Sequence, residues 1–388
     1  MRIVNTVLIL GCTISLFFAC SRQQKRVDRI GKNYFTMQEL PNKSFYLDDS
    51  TTQVLSYIQT FVENDSLKLA LYNKPMKNIC VFDVKAGKVI DKIQLNKDGP
   101  YAINNNIMGF YYINRDSIYL YDYWTYKLLL VNHDGIILNK EELANLLLPD
   151  DSTTFVKSNP LPTSRTPIKK VDDIIILEGQ GGELIKGGVD CSEVFVTALY
   201  NLKTKQICFA NPYPQIYGDM QKNIWSVFGY RIAPYDMNNR QELIISFPAD
   251  DHIVVYNLKN GKSQKYFAGY SKDDIIKPSI STSDAEIAKH VLGQTQYCGI
   301  FYDKWNELYY RIVAHPSSDY DANQKKTSRP LSIIILDHNF EKVGEFDLKE
   351  QSNVYYSHSF VSSEGFHINI YSDDDDYLTF MTLKPKKI

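Results

Sequence analysis

The sequence predicts an all-β chain wound into a β-propeller, and three observations carry that prediction. Tyr and Phe number 28 and 19, and apolar residues gather in runs of five to nine rich in β-branched and aromatic members, as half-buried pleated strands require. A two-strand unit with a central Asp or Asn recurs along the chain. The first and last strand-like runs of the folded part can pair, which would close such units into a ring without exposed edges.

Before the fold begins, residues 1–19 read as an export signal. Arg2 supplies the positive end, and Val7 to Ala19 supplies an apolar stretch of signal length, at the short limit for spanning a bilayer. Phe17-Phe18-Ala19-Cys20 resembles the lipobox of bacterial lipoproteins in a variant with Phe17 where Leu is usual. The resemblance implies cleavage before Cys20 and lipidation of its thiol. Ile9-Leu10-Gly11-Cys12 competes poorly, because cleavage there leaves too short an apolar stretch and strands a greasy segment on the mature chain. Residues 20–33 carry five basic side chains against one acidic and read as a flexible tether. Surface-displayed lipoproteins of this kind usually carry an acidic run there, so a basic tether points to the periplasmic face of the outer membrane.

Residues 34–388 then form one domain, expected to be monomeric. Near-balanced charge, 43 basic against 45 acidic residues, argues against a nucleic-acid surface. Cys80 reads as a small buried hydrophobe, and hairpin pairing about residues 202–203 sets Cys208 opposite residue 197, too far from Cys191 to bond. No structural disulfide is expected.

The recurring unit is a strand, an Asp or Asn, a short polar turn and a second strand. It appears at Ile79–Ile93, Ile118–Val131, Val196–Ile207, Ile253–Ser263 and Ile333–Gly344, with its marker at Asp83, Asp122, Asn201, Asn257 and Asp337. Further strand-like runs precede each copy, such as Ser66–Tyr72 and Glu242–Phe247, so each unit becomes a sheet of three or four strands. Six blades fit best; seven blades or a pair of β-sandwiches are the alternatives. A degenerate sixth copy spans Tyr377–Lys384, and the run at Ser44–Leu47 would complete the blade that Val354 to Leu383 begin. Ser283-Asp284-Ala285-Glu286 has the form of a capping box and Gly293 that of a stop, predicting one short helix between blades.

Tyr309-Tyr310-Arg311-Ile312-Val313-Ala314-His315-Pro316, followed by Pro330 to Glu345, resembles a Bacteroidetes lipoprotein family known as domain of unknown function 4221; Ile93–Pro100 is similar too. That resemblance covers nearly the whole mature chain. It implies a TolB-like or six-bladed propeller and no assigned activity.

Sites are sparse. Seven histidines are scattered without zinc spacing, and no nucleophile elbow occurs, so the sequence assigns no catalytic residue, metal or cofactor. Gly179-Gln180-Gly181-Gly182 reads as turn residues, and Asp373–Asp376 as a solvated loop lacking the alternating spacing of calcium ligands. Arg311 and His315 fall on one face of a strand, where they could meet an anion or act in acid–base chemistry if that strand lines the channel. Tyr309 and Tyr310 accompany them as candidate binding residues. The plainer reading is an Arg that stabilises its blade and a turn His before Pro316. Two roles follow: a tethered module binding a protein, peptide or glycan through loops, or a metal-dependent hydrolase or lactonase whose ligands converge from several blades. Three or more acidic, Asn or His side chains converging on the axis would favour the enzyme.

Overall fold

The computed structural model describes residues 33–388 apart from 97–98, 100–101, 104–105, 149–155, 181–189, 221, 273–274, 282, 318–328 and 350–352. Cys20, the signal and all of the tether but Asn33 lie outside the described residues. Among those described, no helix is long and apolar enough to cross a membrane.

Strand β1 (Phe35–Tyr46) waits for the far end of the chain, and the strands after it sort into antiparallel sheets. The first holds β2 (Ile58–Glu63), β3 (Ser66–Asn73), β4 (Asn78–Asp83) and β5 (Lys88–Gln94). The second holds β6 (Ile107–Asn114), β7 (Ser117–Asp122), β8 (Lys127–Val131) and β9 (Ile137–Glu142). In the third, short β10 (Asn159–Pro160) and β11 (Lys169–Val171) share the first-strand position beside β12 (Ile174–Gln180), β13 (Phe195–Asn201) and β14 (Gln206–Pro212). The fourth runs through β15 (Tyr235–Met237), β16 (Glu242–Ser246), β17 (His252–Asn257) and β18 (Lys262–Phe267). The fifth runs through β19 (Gln296–Asp303), β20 (Leu308–Ala314), β21 (Leu331–Leu336) and β22 (Lys342–Asp347). Last come β23 (Val354–Ser362), β24 (Gly365–Ile370) and β25 (Tyr377–Lys387), whose fourth strand is β1, paired from Phe35↔Lys387 to Tyr46↔Tyr377.

The chain is a β-propeller, and its apolar layers lie between neighbouring sheets. Phe45, Phe82, Phe360 and Phe380 join the last sheet to the first; Ile79, Phe110 and Leu120 join the first to the second. Tyr121, Leu177 and Tyr200 link the second to the third, and Ile176, Ile244 and Tyr309 belong to a larger cluster running through the third, fourth and fifth. Cys298, Tyr310 and Phe366 complete the ring. A strand inside such a stack buries both faces, which explains unbroken apolar runs such as Ile333–Leu336, where alternation would mark a sheet with one wet face.

Turn chemistry follows the local sequence. Asn64 and Asp65 both take positive φ, 48° and 56°, as the two-residue hairpin between β2 and β3 demands. Asp83 Oδ1 accepts from Ala86 N at 2.8 Å, Asn201 Oδ1 from Thr204 N at 2.9 Å and Asn257 Oδ1 from Asn260 N at 3.2 Å, each closing the turn between third and fourth strands. Asp122 does the same for Thr125 N at 3.2 Å, but between the second and third strands of its sheet. The second copy of the repeat is therefore displaced by one strand, and the equivalent turn is built by Asn132, which accepts from Ile136 N at 2.9 Å.

Helix α1 (Ala144–Leu147) is one turn long, and α2 (Asp284–Leu292) lies where the capping sequence predicts, ending at Gly293. Its cap differs from expectation: the Ser283 side chain accepts no capping hydrogen bond, and Glu286 turns to the hydroxyl of Ser281 instead. Gly179 is also not a turn residue. It lies within β12, where a Cβ would stand 2.1 Å from the carbonyl oxygen of Asn159. Cys80, Cys191 and Cys298 are buried and Cys208 is exposed, all as free thiols; Cys208 pairs across from Leu199.

Candidate functional site

The residues predicted as a binding face lie off the axis. β20 is the second strand of its sheet, so alternation sends its side chains to one neighbouring sheet or the other and none to the channel. Tyr309 faces the fourth sheet, where it accepts from Asn238 Nδ2 at 2.9 Å; Tyr310 faces the last sheet and donates to Asp303 Oδ2 at 2.6 Å. Arg311 is fully buried: it donates to Ser246 Oγ at 2.9 Å and to the carbonyls of Ala268 and Asp250 at 2.9 and 2.7 Å, with its guanidinium 3.9 Å from the centre of the Tyr297 ring. It fastens two sheets through backbone carbonyls and the Ser246 hydroxyl. His315 shares the Arg311 face as predicted, but bonds Ser332 Oγ at 2.7 Å beside the ring of Tyr270. Tyr309, Tyr310 and Arg311 are buried between sheets, and His315 is half-buried at the end of the strand.

The axis is occupied by a segment of the third sheet. Between β10 and β11 the chain reads Leu161-Pro162-Thr163-Ser164-Arg165-Thr166-Pro167-Ile168, and it leaves the sheet to cross the channel. Thr163 and Thr166 tie it into a compact turn, with hydroxyls 2.8 Å apart. Ser164 Oγ accepts from Ile58 N at 3.0 Å and lies 2.9 Å from His358 Nδ1, reaching the first and last sheets together. Burial beside Arg165 pushes the His358 imidazole down to about 4, so at neutral pH the ring is uncharged and shares one hydrogen bond with the Ser164 hydroxyl. Arg165 donates to Cys298 O at 2.8 Å and lies over the Tyr356 ring. Tyr235 N donates to Arg165 O at 3.0 Å, Ile168 N to Tyr57 Oη at 3.0 Å, and Pro162 packs against Gly109, where a Cβ would lie 2.7 Å away. Every other sheet thus grips this segment, which plugs the channel.

The plug turns a through-channel into a blind well of about 480 Å³. Ser164, Pro167 and Ile168 form its floor, and the C-terminal ends of the first strands form its walls. Its mouth lies on the side of the first hairpin turns, with Val62, Ile113 and Trp305 at 52 %, 39 % and 41 % exposure. Phe61 stacks on Tyr112 with centroids 4.1 Å apart, and Lys304 Nζ lies 4.9 Å from the centre of the Trp305 ring. Lys169 and Asp236 form an ion pair at 2.5 Å in the wall, and the second oxygen of Asp236 accepts from Tyr302 N at 2.8 Å. Asp236 is the one carboxylate among the described residues lining the well. The well offers apolar and aromatic surface, a neutralised polar wall and a few hydroxyl, amide and ammonium groups near its rim.

Elsewhere, Asp250, Asp251 and His252 bring ligand atoms within 4.8 Å of one another. The carboxylates of Asp250 and Asp251 raise the His252 imidazole to about 9, so at neutral pH it is a cation paired with these two neighbours. Asp373–Asp376 forms the turn between β24 and β25, in which Asp374 Oδ1 accepts from Asp376 N at 3.1 Å.

The sequence reading missed the plug and the well. Pro160, Pro162 and Pro167 signalled the plug, because three prolines in eight residues cannot continue a central strand. Nothing signalled Trp305, because its place at the mouth depends on the neighbouring sheets.

The profile of a family described as "Domain of unknown function (DUF4221)" matches residues 36–347. A crystal structure of a DUF4221 member from Bacteroides vulgatus is similar with a TM-score of 0.77 at 21 % identity, covering 92 % of this chain and 100 % of that one. A Bacteroides fragilis structure named as an exported protein is similar with a TM-score of 0.54 at 13 % identity, covering 90 % of this chain and 95 % of that one. No curated protein matches.

Proposed function

The chain belongs to the DUF4221 family, and from the blind well at its centre we propose that it is a lipid-anchored binding module of the cell envelope. Cys20 carries the anchor, residues 20–33 form the tether, and the propeller stands on the periplasmic face of the outer membrane. The name of the Bacteroides fragilis neighbour, an exported protein, supports export. One observation carries the binding role: a well closed at one end and rimmed by Val62, Ile113 and Trp305, large enough for a side chain, a peptide end or a terminal sugar. Trp305 and Tyr302 would stack on the ligand, and Lys304 and Asn239 would bond its polar groups.

The hydrolase reading loses ground here. A catalytic cation on the axis would need three or more acidic, Asn or His side chains, whereas the described lining of the well brings Asp236 and Asn239, and Asp236 is already held by Lys169 and Tyr302. One experiment tests anchor and site together: pull-downs from detergent-solubilised envelopes of strains carrying the wild-type chain, Trp305→Ala or Cys20→Ala. The wild type should recover a reproducible ligand and Trp305→Ala should recover at most a tenth as much, the loss of about 1.4 kcal/mol or more of stacking. Cys20→Ala should leave the membrane fraction. Equal recovery by Trp305→Ala removes the well as the site, and retention of Cys20→Ala on salt-washed membranes removes the anchor.

A further inference from the structure

The chain enters the propeller on the side where the well opens. In an antiparallel sheet of four strands the first and third turns share one end, and the second turn lies at the other. The mouth is ringed by first turns, such as Asn64-Asp65 and Lys304-Trp305, so the third turns at Asp83–Lys88 and Asn257–Lys262 lie on its side. In the last sheet β1 is the fourth strand, and Phe35 pairs with Lys387 at the end of β25. Tyr34, where the tether joins, therefore also lies at the mouth end, and its carbonyl accepts from Ile388 N at 2.9 Å. Tyr46, at the far end of β1, belongs to the opposite face, roughly 35 Å away at the rise of an extended strand.

This exit sets how the molecule stands on its anchor. A chain the length of residues 20–33 spans at most about 50 Å fully extended and about 20 Å as a coil. Turning the mouth away from the bilayer would draw the tether out along the height of β1, whereas laying the mouth on the bilayer leaves it slack. Charge acts in the same direction. Lys85, Lys88, Lys259, Lys262, Lys386 and Lys387 stand exposed on this face, outside the mouth, against Asp134 and Glu341. Asp83 and Asp337 there accept from turn amides, and the first turns are mixed, with Arg115 and Lys304 beside Asp65 and Asp116. The opposite face carries Asp49 and the exposed run Asp373–Asp376.

We propose that the mouth face is a membrane-docking surface. Its outer lysines meet the anionic headgroups of a phospholipid leaflet, and Val62, Ile113 and Trp305 enter the headgroup layer. The well then opens onto that layer, so its ligand is a group carried at the membrane surface. The inference rests on the lipid anchor at Cys20.

The three tryptophans test it, because Trp305 stands at the mouth, Trp124 is exposed on the opposite face and Trp225 is buried. The mature lipidated chain is reconstituted on vesicles of phosphatidylethanolamine and phosphatidylglycerol, with part of the lipid carrying a nitroxide at its headgroup. Trp124→Phe, which reports Trp305, should be quenched severalfold more strongly than Trp305→Phe, which reports Trp124. Adding Lys259→Gln and Lys262→Gln to Trp124→Phe should weaken docking roughly 25-fold, about fivefold for each lysine, and quenching of Trp305 should fall toward that of Trp124. Chains that fail to float with the vesicles overturn the anchor and this orientation with it. Floating chains in which Trp124 is quenched as strongly as Trp305 overturn the orientation and leave the anchor standing. Quenching of Trp305 that is unchanged by the lysine substitutions overturns the lysine contact with the leaflet and the proposal with it.

Discussion

Arg311 shows how far single residues can be read without the fold. Its strand, its face and the shared face with His315 were legible, because period-two alternation is local. What that face looks at was not legible, because it depends on the position of β20 as second strand in its sheet. The buried histidines add a pH dependence at this same scale. Burial lowers His358 to about 4, with Arg165 adding to the shift, and burial lowers His367 to about 3. Unfolded, both titrate near 6.5, so the unfolded chain binds more protons over the interval between, and stability is lost as pH falls from about 6.5 through the folded values. Carboxylates held low by lysines, such as Asp83 at about 2, add their loss only at lower pH, and His252, raised to about 9, loses its contribution as pH climbs above neutrality. Urea unfolding at about pH 7 and pH 4.5 should therefore show a loss for the wild type, up to roughly 3 kcal/mol from His358 alone. Replacing His358 by Gln should flatten the dependence by a comparable amount, and an unchanged slope would show that His358 does not titrate between these states.

Among the elements, β1 does more than close the ring. It pairs with β25 along its length, and each of its ends meets the outer strand of a neighbouring sheet, Phe35 beside Gly344 and Tyr46 beside Lys88. Both meetings need glycine: a Cβ at Gly344 would lie 2.1 Å from Phe35 O, and one at Gly87, whose φ is +65°, would lie 2.6 Å from Ser44 O. Gly344→Val should cost about 3 kcal/mol in equilibrium unfolding, because backbone and not a flexible side chain must move. A cost below about 1 kcal/mol would mean that β1 is held by β25 alone. Closure was legible from Ser44–Leu47 and Val354–Leu383, since both ends of the chain carry strand-like runs with no partner nearby in sequence. The Asx markers were legible as turns but not as positions within a sheet. Asp122 and Asn201 make the same hydrogen bonds at different corners, because an Asx turn senses the next three residues and nothing beyond. The helix at Asp284–Leu292 was legible from its end signals, although its cap hydrogen bonds were not.

For the whole molecule, the strongest regularity is that the residues around the axis come from every sheet while the plug comes from one. A Pro-rich break in the third sheet lays a floor across the ring of strands, and the well opens on one side of it. Period and composition made the propeller visible, because each blade is built from neighbours in sequence. The well was invisible, because Phe61, Tyr112, Asp236, Trp305 and Phe360 meet only after the ring closes. The central claim is that this mouth is where the molecule meets its ligand, and photo-cross-linking in intact envelopes tests it most directly. A benzophenone amino acid at Trp305, at the rim, would be compared with the same probe at Trp124, which is 70 % exposed in the turn between β7 and β8 and away from the well. The account predicts a reproducible adduct from position 305 and none from position 124. Adducts of equal yield from both positions, or an adduct from 124 alone, would contradict it.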